Sequence, residues 1–183
     1  MGRDKALLSW GDHTLLEHVA ALVAEVVPEV VLVARADQTF PFPKPYPIAR
    51  DSADGLGPLA GLAAGLAAID AERAFLVSCD VPFLRPALVQ RLFELSDGYD
   101  AAVPEIDGFA MVTSAVYSKA ALPVARELLA AGRLRPRFLL DSLKTRMVTP
   151  DELRDIDPDL WSFRNCNTPE EYAAALRDAG LES

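Results

Sequence analysis

The run Ala74-Phe75-Leu76-Val77-Ser78, followed at once by Cys79-Asp80-Val81-Pro82, decides the fold of this chain. A short apolar run with no polar alternation reads as a strand covered on both faces, as in a parallel sheet. Pro82 stops it. Working outward toward the N-terminus, Pro58 to Asp70 is dense in Ala and Gly. It reads as a tightly packed helix with proline at its first position, where a missing N–H costs nothing. Before it, Val30-Val31-Leu32-Val33-Ala34 is a second buried strand, and Ile48-Ala49-Arg50 a short third one. Thr14-Leu15-Leu16-Glu17 is a capping-box pattern. It opens a helix with Leu15, Val19, Leu22, Val23 and Val26 at helical spacing, ended by Pro28. The alternate prolines Pro41, Pro43, Pro45 and Pro47 make a stiff extended loop or a polyproline recognition segment.

Toward the C-terminus, Pro86 to Leu95 reads as a helix. Ala101-Ala102-Val103 and Ala110 to Tyr117 read as strands around a turn at Asp107-Gly108. Lys119 to Ala131 is a helix with Gly132 as its stop signal. Thr168-Pro169-Glu170-Glu171 is another capping box, opening a last helix that ends near Gly180. Strands alternating with helices predict an α/β fold with a largely parallel sheet, in one domain over 1–183. In such sheets ligands gather where strand C-termini meet helix N-termini.

Composition bounds the function. A chain of 183 residues, 51% hydrophobic and 25% charged, is long enough and apolar enough to bury a core. Its net charge of −9 argues against sequence-independent binding to nucleic acid or acidic lipid. A polyanionic small ligand would need a local positive patch or a bound cation. Cys79 and Cys166 are too few for a disulfide framework and read as reduced thiols. With no apolar stretch long enough to span a membrane and no secretory signal pattern, the expected compartment is the cytoplasm.

Four groups of residues are candidates for chemistry. Asp80 stands where an apolar strand runs out. It either holds Mg²⁺, which takes one or two carboxylates plus substrate phosphates, or caps the helix that follows; Pro82 and Pro86 delay that helix and favour the first. The segment Asp51-Ser52-Ala53-Asp54-Gly55-Leu56-Gly57-Pro58 is either a ribose or base pocket, with Asp51 or Asp54 accepting hydrogen bonds, or an acidic strand-to-helix turn. Asn165 and Asn167, flanking Cys166, either offer amides to a polar ligand or serve as turn and cap residues. Met1-Gly2-Arg3-Asp4-Lys5 is either the second half of a phosphate-binding loop, with Gly2 admitting an anion beside Arg3 and Lys5, or a solvated end. His13 and His18 have no third ligand at zinc spacing and read as surface or half-buried. There is no Ser-His-Asp elbow, GxxxxGK loop or intact GxGxxG.

Taken in order, Met1 to Leu8, Leu15-Leu16-Glu17-His18-Val19, Asp51 with Gly57-Pro58-Leu59-Ala60-Gly61-Leu62, Cys79-Asp80-Val81-Pro82-Phe83 and Asn165-Cys166-Asn167-Thr168-Pro169-Glu170-Glu171 resemble one family. It is the MobA-type molybdenum cofactor guanylyltransferases. The resemblance implies a Rossmann-like three-layer nucleotidyltransferase domain that transfers GMP from GTP to the molybdopterin cofactor and releases pyrophosphate. It implies Asp80 as the Mg²⁺ anchor and Lys5 on the phosphates, the two carrying the catalysis. Gly2, Arg3 and Asp51 would lie on GTP, and Asn165 and Asn167 on the pterin side.

The family motif begins with an apolar strand and a Leu-Ala-Gly-Gly-like turn ahead of the position of Met1. The expectation is therefore a sheet lacking its first strand, with an unpaired edge in the core, and either a longer native protein or a chain that is imperfectly folded or inactive. Val33 stands where relatives can carry a polar residue toward the nucleotide. Two other readings stay open. One is cytidylyl or other nucleotidyl transfer. The other is a non-catalytic module that docks molybdenum enzymes or their chaperones through a patch around Trp161 and Phe163.

Overall fold

The computed structural model describes residues 5–36, 38–40, 46–51 and 57–181. In chain order the strands and helices are β1 (Ser9–Trp10), β2 (His13–Thr14), α1 (Leu15–Ala24), β3 (Leu32–Arg35), β4 (Ile48–Asp51), α2 (Pro58–Ala68), β5 (Arg73–Val77), α3 (Pro86–Leu95), β6 (Ala101–Ile106), β7 (Phe109–Ala110), β8 (Ser114–Ser118), α4 (Ala121–Ala130), α5 (Pro136–Ser142), β9 (Thr145–Val148) and α6 (Pro169–Asp178). Single helical turns cover Lys5–Leu7, Pro150–Glu152 and Trp161–Phe163.

Side chains on successive strand residues point to opposite faces, and the core divides accordingly. Ala102 and Val116 join Val19 and Val23 of α1 and Leu88, Val89 and Leu92 of α3 in one apolar cluster. Their neighbours Ala101, Val103, Ala115 and Tyr117 join Leu59, Leu62 and Leu66 of α2, Ala125 and Leu128 of α4, and Leu139 of α5 in another. Helices thus cover the sheet on both faces in three layers, as expected for an α/β fold.

The largely parallel sheet needs one correction, because the pairing is mixed. β3 and β4 pair in parallel, as do β6 and β9, but β8 runs antiparallel to both β5 and β6. The cause is local. Asp107 and Gly108 both take positive φ, 53° and 80°, which matches the twist of a two-residue hairpin turn. The chain folds back as β7 along β6. A second turn follows, with the Ser114 N–H donating to the Met111 carbonyl. The segment expected to be one strand from Ala110 is therefore split, and its second half enters the sheet reversed.

Other differences have equally local reasons. The helix expected from Lys119 begins at Ala121. Lys119 is occupied elsewhere: its N–H donates to the Glu72 carbonyl and its ammonium donates to the Leu66 and Ile69 carbonyls. It thereby neutralises the carbonyl end of α2. The glycine before Pro58 is required by the backbone and not by crowding, since Gly57 has φ +68° at the start of α2 while a Cβ there would meet nothing within 4 Å among the described residues. An L side chain there would be strained.

Among the described residues, β3 and β4 form a unit separate from the sheet β5-β8-β6. Among the described residues, one edge of β3 and one edge of β5 have no partner strand. Between them lies a cavity of about 730 Å³. No helix among the described residues is long and apolar enough to cross a membrane.

Candidate active site

β5 ends at Val77, and the next three residues build the site. Ser78 follows the strand directly, and Asp80 stands in the turn after it. The Ser78 hydroxyl donates to Oδ1 of Asp80. Asp80 itself is buried, at 7% exposure. A charge so placed needs partners. Its second oxygen, Oδ2, lies 3.5 Å from the ammonium of Lys5. Helix capping is not its role, because α3 starts at Pro86 with Arg85 as its N-cap.

Lys5 reaches this point from the helical turn Lys5–Leu7, which leads through the β1–β2 hairpin into α1. The capping box of α1 is formed in full: Glu17 N–H donates to the Thr14 hydroxyl, and Thr14 N–H to the Glu17 carboxylate. Lys5 also donates to Oδ1 of Asn167 at 2.8 Å. Asn167 comes from the far end of the chain. Its segment is drawn to the strand end by the Cys166 N–H, which donates to the main-chain carbonyl of Asp80 at 2.8 Å. The orientation is held by Glu171 of α6, which accepts from the N–H groups of Asn167 and Thr168 at 2.7 and 2.9 Å.

The structure therefore brings Lys5, Asp80 and Asn167 together. Asn165 is exposed on the same segment. Asp51 is elsewhere in the fold: it closes β4 opposite Arg35 in the β3–β4 ladder. Gly2, Arg3 and Asp54 lie outside the described residues, as do Pro41, Pro43 and Pro45. Two contributors were not expected as part of the site. Ser78 was legible only as the end of a strand, although its spacing from Asp80 was the signal. Glu171 was legible only as a capping residue.

Beside this group, Phe83 packs edge-on to Trp161 at 5.0 Å and to Trp10 at 5.7 Å between ring centroids. The Arg164 guanidinium lies 5.3 Å from the centroids of both Phe83 and Trp161, within cation–π range. Arg164 is tied by a 2.6 Å contact to Asp178. The expected exposed patch around Trp161 and Phe163 is not formed. Trp161 is 38% exposed, but Phe163 is 8% exposed and belongs to the core, because its turn packs inward over Leu153 and Leu84. His18 is half-buried, with Nε2 2.8 Å from the Pro82 carbonyl, and His13 is exposed.

Burial pushes the Cys166 thiol above its ordinary range, and the nearby Asp80 charge adds to this. Cys166 is thus a neutral packing residue behind the site. Among the described residues no group of three or more His, Cys, Asp or Glu side chains is placed to hold a metal by itself. A lone buried carboxylate suits Mg²⁺ where substrate phosphates supply further oxygens. Asp80 fits that pattern, and the ammonium of Lys5 stands beside it as a point charge.

Comparison with known proteins bears on the family and the fold. A probable molybdenum cofactor guanylyltransferase of Methanosarcina mazei is 34% identical over 181 residues, covering 92% of this chain and 80% of that protein. The molybdenum cofactor guanylyltransferase of Desulfosudis oleivorans is 33% identical over 180 residues, covering 95% and 86%. The fold is shared with the crystal structure of molybdopterin-guanine dinucleotide biosynthesis protein A from Archaeoglobus fulgidus. That match has a TM-score of 0.82 at 22% identity, over 99% of this chain and 93% of the other. The 2-C-methyl-D-erythritol 4-phosphate cytidylyltransferase of Thermus thermophilus also shares it, with a TM-score of 0.76 at 18% identity, over 96% and 94%. A family model, the MobA-like NTP transferase domain, matches residues 1–147. With that span and relatives aligned along nearly all of its length, the chain belongs to the MobA-like NTP transferase domain family.

Proposed function

We propose that this chain is a molybdenum cofactor guanylyltransferase, working as one domain in the cytoplasm. It transfers GMP from GTP to the molybdopterin form of the molybdenum cofactor. A terminal phosphate oxygen of the cofactor attacks the α-phosphorus of GTP. The bond from that phosphorus to the bridging oxygen breaks, and pyrophosphate leaves with the electron pair. The observation that carries this reading is the convergence of Lys5, Asp80 and Asn167 at the end of β5, in a chain whose relatives bear that name.

The protein's part is positional. Attack in line needs both substrates held rigidly and the phosphate charge countered where it develops. Lys5 serves the phosphates, with Asn167 and Asp80 fixing its ammonium. Gly2 and Arg3 would extend that contact to the GTP phosphates, and Asp51 would accept hydrogen bonds from the guanosine. Asn167 and Asn165 face the pterin side. Asp80, oriented by Ser78, would hold Mg²⁺. When bound, the ion supplies positive charge to the α-phosphate and leaving group.

The test is thermal unfolding with Mg²⁺ and GTP, using Mg²⁺ and CTP as control. A ligand at a hundred times its dissociation constant stabilises by about 2.7 kcal/mol, so a rise in Tm with GTP and none with CTP is expected. An equal rise with CTP would move the reading to cytidylyl transfer. A cooperative melt insensitive to both would remove it.

A further inference from the structure

Two segments that carry the site are fastened to each other at both ends. Near the reacting groups the Cys166 N–H donates to the Asp80 carbonyl at 2.8 Å. At the far end the Arg85 N–H donates to the Ser162 hydroxyl at 3.0 Å. The segments therefore run in opposite directions, with the ring of Phe83 packed between these ends against Trp161 and Arg164. A shift at Ser162 is passed along its segment to Asn167.

What holds Ser162 is a carboxylate outside the site. Asp157 is 0% exposed, as is Ser162. Its Oδ2 accepts from the Ser162 N–H at 2.8 Å, and its main-chain carbonyl accepts from the Leu160 N–H at 3.0 Å. Its Oδ1 has no hydrogen bond among the described residues and lies 3.4 Å from Nε of Arg85. Arg85 in turn donates through Nη1 to the Ile156 carbonyl at 2.8 Å. One carboxylate thus ties the turn ahead of Asn167 to the N-cap of α3.

Two features set this apart from ordinary packing. A buried ion pair adds little stability over apolar residues of similar size, and a half-satisfied one adds less. Stability alone gives no reason for it. Leu160, inside the loop that Asp157 closes, takes φ +55°, where a branched side chain is strained. Such strain persists only where the surroundings over-determine it. The loop is held in one shape at a cost, and that shape fixes how the Asn167 segment approaches Asp80.

We propose that Asp157 is a positioning residue. Through Ser162 and Arg85 it sets the register between the segment bearing Asn167 and the segment bearing Asp80, and with it the Asn167 contact that places the Lys5 ammonium. The register belongs to the chain itself; its effect on turnover rests on the guanylyltransferase reading.

Asp157→Ala, Asp157→Asn and Ser162→Ala are compared with the parent chain by amide hydrogen exchange and by GMP transfer from GTP with Mg²⁺. Asp157→Ala is expected to speed exchange at Cys166 by about tenfold or more, with the amides of β6 and β8 moved far less. Asp157→Asn keeps an oxygen for the Ser162 N–H and should recover most of the protection. Ser162→Ala removes only the hydroxyl and stands in if Asp157→Ala does not fold; it should give the same pattern with a smaller rise. In transfer, Ser162→Ala should lower kcat/KM in the parent but not in an Asn167→Ala background, with the same fall in Tm in both. Equal acceleration at Cys166 and across β6 and β8, or the same factor lost from kcat/KM in both backgrounds, would make Asp157 a structural residue only and overturn the proposal. Exchange needs no transfer, so a parent chain that transfers no GMP would remove the functional reading while exchange still decides the register.

Discussion

The ammonium of Lys5 donates to Oδ1 of Asn167 across 2.8 Å, joining residues 162 positions apart in the sequence. These two chain segments, which also meet where the Tyr172 hydroxyl donates to the Ser9 carbonyl, are thus closed over the end of β5. A lysine stem has several rotatable bonds, and a fixed acceptor limits where its charge can sit. Residues in one hydrogen-bonded network couple by about 0.5–3 kcal/mol. Lys5→Ala and Asn167→Ala are therefore expected each to lower kcat/KM for GMP transfer, and together to lower it by less than the product of the two factors. Strict multiplicativity across the four enzymes would mean that Lys5 acts without help from Asn167.

Asp80→Asn keeps the size and one acceptor of the side chain but removes its charge. Transfer should fall by about a hundredfold or more, the scale of losing one transition-state electrostatic contact, while the melt stays cooperative. Ser78→Ala leaves the carboxylate and removes only the hydroxyl that orients it. Its expected effect is smaller, with a raised requirement for Mg²⁺ and a kcat close to normal at saturating metal. Unchanged turnover in Asp80→Asn at any Mg²⁺ concentration would take Asp80 out of the site.

Tyr117 is 1% exposed, and its hydroxyl donates to the Val112 carbonyl at 2.9 Å. Burial holds its phenol well above the ordinary value of 10.0. The folded state therefore keeps the proton where the unfolded chain releases it. Stability from this group is fully present below pH 10 and is lost as pH rises further. Tyr117→Phe should cost about 1 kcal/mol at pH 7 through the lost hydrogen bond. The deficit should shrink or reverse between pH 10 and 11.5. Parallel Tm curves for the two proteins across that range would contradict the assignment.

How much of this was legible in the sequence depends on whether the cause was local. Pro86–Leu95 and the capping boxes at Thr14 and Thr168 formed as read, because a cap or a proline acts within one turn. Asp80 was legible because proline and a spent apolar run isolate it. The reversal of β8 was not, since it follows from two consecutive turns between Asp107 and Ser114. Nor were α5 and β9. Arg133, Arg135, Arg137, Lys144 and Arg146 interrupt the apolar pattern there, and Lys144 and Arg146 in fact lie over the ring of Tyr99 at 5.0 and 5.9 Å. At the site, the resemblance pointed to Lys5 and Asn167 separately. Their contact with each other depends on tertiary pairing of the Cys166 N–H with the Asp80 carbonyl, which no local pattern encodes.

The last prediction concerns the packing of α2 on β3. A Cβ at Gly65 would stand 3.3 Å from Cγ2 of Val33, whereas one at Gly61 would meet Cγ1 of the same residue at 3.9 Å. Alanine inside a helix is favoured over glycine by about 0.8–1.0 kcal/mol. Gly61→Ala should therefore stabilise by roughly that amount, since its new methyl makes ordinary contact. At Gly65 the methyl crowds Val33, and the sign depends on whether Val33 can yield. It can, because Val33 borders the 730 Å³ cavity and a shift of a few tenths of an ångström moves it toward open space. Gly65→Ala is thus expected to raise Tm on its own. Thermal melts of both variants provide the check. A Gly65→Ala protein that is destabilised would show that Val33 is held from elsewhere.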